Sequence, residues 1–78
     1  MIGGVIVSLG EEIKAIRRKS LLSQTEFAEK LEVSFSTVNR WENNRAVPNY
    51  QALKKIKQFC EQNGITFDID NKIWEEQK

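Results

Sequence analysis

Two helix starts stand close together in the middle of this chain, and the segment between them is too short to form anything but a turn. The first is Ser23-Gln24-Thr25-Glu26, a capping box in which the Ser hydroxyl and the Glu carboxylate each bind a backbone N–H. The helix that follows should run to about Leu31, and Ser34 caps the next one. The sequence therefore predicts two short helices joined by only three residues, Glu32, Val33 and Ser34.

A further helix is predicted on each side of this pair. Ser8-Leu9-Gly10-Glu11 is another capping box, and Asn49 caps a fourth helix. The third helix should end near Asn43 and Asn44, and the fourth at Asn63-Gly64. The predicted fold is an all-α, compact bundle of four to five helices. The apolar residues at helical spacing are Leu9, Ile13 and Ile16, then Phe27, Ala28 and Leu31, then Leu53, Ile56, Phe59 and Cys60.

Composition excludes several classes of function. The 78 residues allow a single domain, and one cysteine with no histidine provides neither an internal disulfide nor a protein-built zinc site nor a His-based catalytic pair. We therefore expect no enzyme activity, no metal and no cofactor. The longest apolar run, Val5-Ile6-Val7, is far too short to span a bilayer, and residues 1–9 lack a secretory signal. The expected setting is the cytoplasm, with no membrane contact and no small-molecule ligand domain.

Charge is distributed unevenly along the chain. Residues 14–57 hold ten Lys or Arg and four acidic residues, a net charge of +6, whereas residues 1–13 carry −2 and residues 58–78 carry −3. A basic middle between acidic ends suits a polyanionic partner. Surface Lys and Arg also serve solubility alone, so the charge pattern by itself leaves both interpretations open.

The two ends do not follow the helical pattern. A β-branched run stands at positions 5–7, and Ile65, Phe67 and Ile69 alternate with polar residues at strand spacing. We divide the chain into an N-terminal arm (residues 1–8), a helical domain (9–64) and a C-terminal extension (65–78). Short extended segments are expected in the arm and in the extension. Together with Trp74, the extension is expected to cover the edge of the core or to form a homodimer interface.

Two short helices joined by three residues are the geometry of a helix-turn-helix unit. The segments Gln24-Thr25-Glu26-Phe27-Ala28-Glu29-Lys30-Leu31, Val33-Ser34 and Ser36-Thr37-Val38-Asn39-Arg40-Trp41-Glu42-Asn43 resemble the Cro/C1-type (phage-repressor-like, XRE) family of DNA-binding domains. The resemblance covers about residues 9–60 and implies a repressor-like bundle whose third helix, about residues 34–43, enters the major groove of double-stranded DNA. Glu32 and Asn44 depart from the family pattern, because Gly is common at both positions.

Helical geometry divides the third helix into two faces. At about 100° per residue, Ser34, Val38 and Trp41 fall on one side, which we predict to be core. The opposite side can read base edges, since Asn can bond adenine in two places, Arg guanine, Ser either, and Phe can pack on a thymine methyl. The alternative is an exposed polar face with one aromatic, and the surrounding unit favours base readout. The candidate base-reading residues are Phe35, Ser36, Asn39 and Arg40.

Candidate phosphate contacts frame this helix. Ser23 and Gln24 begin the second helix, where free N–H groups attract an anion, and the resemblance implies a phosphate-contacting Gln there. It also implies a second backbone clamp in the loop formed by Asn43, Asn44 and Arg45. Gln24 could instead serve only as a helix former, and Arg45 as an ordinary surface residue.

The resemblance also implies an ion pair between the first and third helices, formed by Arg17 and Glu42. Such a pair would fix the angle of the reading helix without necessarily adding net stability. The alternative is two unrelated surface charges. Trp41 and Cys60 are predicted to be core residues, because each lies on the apolar side of its helix.

The predicted function is that of a sequence-specific, double-stranded-DNA-binding transcriptional regulator. We expect a repressor that binds a palindromic operator as a homodimer. An alternative with the same fold is a DNA-binding antitoxin or the controller protein of a restriction-modification locus. A rival from another class is a protein-interaction adaptor that keeps the bundle but has no DNA readout.

Overall fold

A computed structural model describes residues 8–67, which form four helices and no strand. The helices are α1 (Leu9–Lys19), α2 (Gln24–Leu31), α3 (Phe35–Glu42) and α4 (Tyr50–Gln62). This confirms the predicted all-α helix-turn-helix bundle. The expectations for positions 5–7, Ile69 and Trp74 lie outside the described residues.

Each helix begins immediately after the residue predicted to cap it. Ser8 and Ser23 both form complete capping boxes, with Glu11 and Glu26 respectively. The Asn49 side chain accepts a hydrogen bond from the backbone N–H of Ala52 at 2.8 Å. These bonds satisfy N–H groups that have no partner inside a helix, so the chain fixes its helix starts locally.

The prediction that Ser34 is a core residue was wrong. Its side chain is exposed, and its hydroxyl accepts from the backbone N–H of Thr37 at 3.1 Å. Ser34 has extended backbone angles (φ −80°, ψ 157°), so a projection at helical spacing does not apply to it. The other two residues of that face, Val38 and Trp41, are buried as predicted.

The turn between α2 and α3 requires a left-handed residue. Glu32 adopts φ 60° and ψ 41°, which lets the backbone N–H of Val33 reach the Ala28 carbonyl oxygen at 2.9 Å. Side chains usually avoid this region because Cβ crowds the following carbonyl. Leu21 and Asn44, in the turns after α1 and α3, have φ values of 59° and 58°. All three turns between consecutive helices therefore contain a strained residue other than Gly.

The core lies where α2 packs against both α3 and α4, with α1 closing over α3. Phe27 and Phe59 meet edge to face, with ring centroids 5.3 Å apart and an interplanar angle of 79°. Such aromatic pairs add about 0.5–1.5 kcal/mol beyond the area that they bury. The buried core cluster is Ile13, Ile16, Phe27, Ala28, Leu31, Val38, Trp41, Ile56, Phe59 and Cys60.

The start of the C-terminal extension follows the bundle instead of forming a strand. Ile65 and Phe67 are half-buried and pack against the core cluster, and residues 65–67 have no strand pairing. The left-handed Gly64 redirects the chain, and the backbone N–H of the next residue, Ile65, donates to the Cys60 carbonyl oxygen at 2.8 Å. In this part of the extension the strand-like alternation reflects packing against a helical core.

Cys60 is an inert part of the core. Its side chain is fully buried, and burial raises the pKa of the Cys60 thiol to about 11. The thiolate is the reactive form of cysteine, so this residue acts as a small apolar side chain at neutral pH.

Gly10 allows α1 to approach the end of α3. A Cβ atom added there would overlap the Trp41 carbonyl oxygen and lie 2.6 Å from Asn44 Oδ1. We expect Gly10→Ala to lower the free energy of unfolding by about 1–3 kcal/mol, the usual range for overpacking, although Ala is the better helix former. Urea denaturation followed by circular dichroism measures this change. A variant as stable as the parent would show that the contact is not close.

Candidate nucleic-acid interface

The outward face of α3 brings together the four residues predicted to read bases. Phe35 is 50% exposed, Ser36 and Arg40 are exposed, and Asn39 is half-buried. On the opposite side of the same helix, Val38 and Trp41 are buried in the core. Packing therefore fixes which face α3 presents outward.

The side chains on this face differ in how firmly they are held. The Ser36 hydroxyl lies 3.1 Å from the hydroxyl of Ser34. Asn39 is hydrogen-bonded to Gln24, as described below. Within residues 8–67, the Arg40 guanidinium has no hydrogen bond or ion pair to another side chain. Arg40 is thus a donor-rich group with its bonding capacity unused.

Arg17 and Glu42 form a bidentate ion pair between α1 and α3. Arg17 Nε donates to Glu42 Oε2 at 2.7 Å, and Arg17 Nη2 donates to Glu42 Oε1 at 3.0 Å. Arg17 Nη1 also donates to the Leu22 carbonyl oxygen at 2.9 Å, in the turn before α2. One guanidinium therefore joins α1, the following turn and the end of α3.

The ion pair is shielded from solvent, which affects the protonation of Glu42. Burial alone would raise the pKa of Glu42, but the hydrogen bonds from Arg17 and Gln24, with the positive charges of Arg17 and Lys14, outweigh it and lower that pKa. The pKa of Arg17 is raised by its hydrogen bond to Glu42, against the opposing effect of burial. Both groups are therefore charged at neutral pH.

Gln24 does not extend its side chain freely from the start of α2. Its Nε2 donates to Glu42 Oε1 at 3.0 Å, and its Oε1 accepts from Asn39 Nδ2 at 3.2 Å. The hydroxyl of Ser23 is likewise occupied as the cap of α2, accepting from the Glu26 backbone N–H. The anion-attracting feature at this point is therefore the set of backbone N–H groups in the first turn.

The loop after α3 also contains both hydrogen-bonded side chains and one without such a bond. Asn43 Nδ2 donates to the Asn39 carbonyl oxygen at 2.8 Å. Asn44 Oδ1 accepts from the Gly10 backbone N–H, and its Nδ2 donates to the Ser8 hydroxyl, both at 3.2 Å. Arg45 is exposed, and its side chain has no such bond in the described part of the chain. Of the predicted second clamp, Arg45 alone has an unoccupied side chain.

Two of these contacts were not predicted from the sequence. The Asn44 bonds to Gly10 and Ser8 join the end of α3 to the start of α1, and the Gln24–Asn39 bond joins the start of α2 to the outward face of α3. A Gly in the first turn of α1 was the one sequence signal for the first contact. No local pattern indicates the second, because it depends on the angle between α2 and α3.

The described residues contain neither a candidate metal site nor a candidate membrane-spanning helix. Between positions 8 and 67, no group of three or more His, Cys, Asp or Glu is arranged to hold a metal ion. No helix in that part of the chain is long and apolar enough to cross a membrane.

Comparison with known proteins gives three matches. Residues 13–63 match the helix-turn-helix family. The HTH-type transcriptional activator BcrR of Enterococcus faecalis is 32% identical over 53 residues, which are 68% of this chain and 26% of that protein. Multiprotein-bridging factor 1 of Candida albicans is 38% identical over 53 residues, which are 68% of this chain and 35% of that protein. The chain spans about a quarter to a third of the length of these relatives.

Proposed function

This chain belongs to the Cro/C1-type helix-turn-helix family, and from that premise we propose that it is a transcriptional regulator that binds double-stranded DNA sequence-specifically through α3. The observation that carries the proposal is the outward face of α3. It combines Arg, Asn, Ser and Phe on a helix whose other face is locked into the core. These are side chains that read base edges in the major groove.

Each residue of the face has a distinct role in this proposal. Arg40 binds a guanine edge with its unoccupied guanidinium, and Asn39 binds an adenine edge. Ser36 adds a hydroxyl that accepts or donates, and Phe35 packs on a thymine methyl. Their short spacing along one helix suits a run of a few adjacent base pairs.

Phosphate contacts hold the reading helix in register. We place one phosphate at the positive end of α2, on the backbone N–H of Gln24, because the backbone N–H of Ser23 already donates to Glu26 Oε1 at 2.9 Å. The loop of Asn43, Asn44 and Arg45 binds a second, mainly through the exposed Arg45 side chain. Asn44 supports this clamp indirectly, because its amide holds the loop against α1. These contacts supply affinity without sequence preference.

We propose further that the protein acts as a homodimer on a palindromic operator. One copy presents a single reading helix of eight residues, which covers too few base pairs to define a site by itself. Two copies would place their α3 helices about 34 Å apart, on successive major-groove faces. The repressor role predicted from the sequence stays a proposal, and one relative is named as an activator, so a promoter–reporter assay must give the sign of regulation.

Two alternatives are kept, and the similarity to one relative supports the second of them. An antitoxin or a restriction-modification controller would use the same DNA-reading face, so genetic context and not binding separates these roles. A protein-interaction adaptor is supported by the similarity to a protein named as a multiprotein-bridging factor. In that case the α3 face would contact protein instead of DNA.

Selection of bound sites from a random duplex library tests the proposal directly. A palindromic consensus would support both DNA readout and a dimeric complex. Binding to the selected duplex should also weaken with salt, with a log–log slope of about −0.9 per phosphate contacted. No enriched sequence, together with no binding to any duplex at low salt, would favour the adaptor.

Substitution of two exposed arginines should distinguish a loss of sequence specificity from a general loss of DNA affinity. We expect Arg40→Ala to cost about 1–3 kcal/mol on the selected site and to relax preference at one or two base positions. Arg45→Ala should weaken selected and scrambled duplexes by a similar factor, because phosphates carry no sequence identity. Fluorescence anisotropy with both duplexes measures these effects. A folded Arg40→Ala variant that selects the parental consensus unchanged would contradict the assignment of Arg40.

A further inference from the structure

A continuous series of hydrogen bonds connects the buried ion pair with the outward face of α3. Arg17 donates to Glu42, Gln24 Nε2 donates to Glu42 Oε1 at 3.0 Å, and Asn39 Nδ2 donates to Gln24 Oε1 at 3.2 Å. We call Glu42, Gln24 and Asn39 the amide relay. It begins at a side chain that is 3% exposed and ends at a candidate base reader.

Chemistry fixes the direction of every bond in the amide relay. An ionised carboxylate only accepts hydrogen bonds, so Gln24 must turn its NH₂ group toward Glu42. That orientation leaves Gln24 Oε1, an acceptor, toward Asn39. Asn39 must then use its own NH₂ group as the donor. The charge of Glu42 therefore selects one orientation of both amides.

The fixed orientation determines what Asn39 can offer to a base. One of its two N–H groups is used by Gln24, which leaves Oδ1 and the second N–H. One acceptor beside one donor matches the adenine edge in the major groove, where N6–H₂ donates and N7 accepts. Guanine presents two acceptors there and does not match this pair.

We propose that Glu42 and Gln24 are positioning residues that set the amide polarity of Asn39 and so its preference for adenine. This inference rests on the proposed function, since it assumes that α3 reads bases. It adds that specificity at one operator position depends on residues that touch no base. Of the residues in the amide relay, Gln24 is the one best suited to substitution, because its side chain is only half-buried at the start of α2.

Gln24→Met tests the proposal by removing both amide bonds while keeping the length of the side chain. Asn39→Ala first identifies the operator position that depends on Asn39. At that position, the parent should prefer adenine by about 5- to 100-fold, and Gln24→Met should remove most of that preference. The control is Thr25→Val, an exposed neighbour in the same turn, which should leave the preference unchanged. Sequencing of selected duplexes gives all four profiles.

A double variant distinguishes positioning from a general loss of structure. In the Gln24→Met background, Asn39→Ala should cause little further loss at its position, whereas Arg40→Ala should relax its own position as strongly as in the parent. Thermal melting confirms that each variant is folded. If Gln24→Met does not fold, Gln24→Ser is used instead, because its short side chain leaves room for water at the Glu42 carboxylate.

The possible failures are distinguishable. No enriched duplex with the parent protein would overturn the proposed function and this inference together. A clear consensus that lacks adenine at the Asn39-dependent position would overturn the inference alone. So would a folded Gln24→Met variant that keeps the full adenine preference there.

Discussion

Replacing Arg17 with Met should lower the free energy of unfolding by about 3–5 kcal/mol, because it leaves a carboxylate buried without its counter-charge. The Glu42 side chain is only 3% exposed and receives two of its three side-chain hydrogen bonds from Arg17. Small domains have a total stability of about 5–15 kcal/mol, so the variant should be close to unfolding at moderate temperature. Urea denaturation at neutral pH measures the loss.

Two controls distinguish the effect of the unpaired Glu42 charge from other effects of Arg17→Met. Arg18→Met, on the exposed side of the same helix, should change stability by no more than about 0.5 kcal/mol. Combining Arg17→Met with Glu42→Leu should recover most of the loss, because no buried charge then remains. An Arg17→Met variant within about 1 kcal/mol of the parent would show that the pair is solvated.

The same pair predicts the direction of the pH dependence of stability. Because the pKa of Glu42 is lowered in the folded state, its contribution is fully present above the ordinary Glu pKa, about 4.3. It is lost as the pH falls through the lower, folded-state value. The double variant without either charge should therefore lose less stability than the parent in this acidic range.

Trp41→Ala should cost about 3–5 kcal/mol, the usual range for deleting a large buried aromatic. Trp41 is 4% exposed and belongs to the core cluster, so its removal leaves a cavity beneath the reading helix. Chemical denaturation followed by circular dichroism at 222 nm measures the change, since indole fluorescence would differ between the parent and a variant that lacks one of the two tryptophans. At this wavelength the signal mainly reports helix content, so the same measure serves both proteins.

Phe35→Ala is the matched control on the opposite face of α3. Phe35 is 50% exposed, so its removal should change stability by much less than the loss of Trp41. In the proposed function it should instead weaken binding at a thymine position. Equal destabilisation by the two changes would mean that the faces of α3 are wrongly assigned.

The helix starts were predictable because each depends on residues that are close in sequence. The caps at Ser8, Ser23 and Asn49 bond to groups three residues away, so their chemistry can be read without knowing the fold. Ser34 was also identified as a cap, but it was placed in the core by extending helical geometry one residue too far. A cap lies outside the helix that it begins.

The contacts that organise the candidate interface were harder to predict. Asn39 and Gln24 are 15 positions apart, and Asn44 and Ser8 are 36 apart. These bonds exist only after the helices have packed at particular angles. The pairing of Arg17 with Glu42 came from the resemblance to a family, since the spacing of two charges does not identify a partner. For the same reason, the sequence suggested that Gln24 and Asn44 face a phosphate, whereas both amides are bonded within the protein.

The positions of the left-handed turn residues affect how the sequence of such a domain can change during evolution. Leu21, Glu32 and Asn44 carry the backbone strain, and all three are exposed, with Leu21 91% exposed. In the described part of the chain, the side chains of Leu21 and Glu32 form no hydrogen bond or ion pair with the outward face of α3, so we expect an exchange at either position to change the folding free energy without altering that face. If α3 reads DNA as proposed, exchanges at these two positions can adjust thermal tolerance without passing through variants that have lost operator choice.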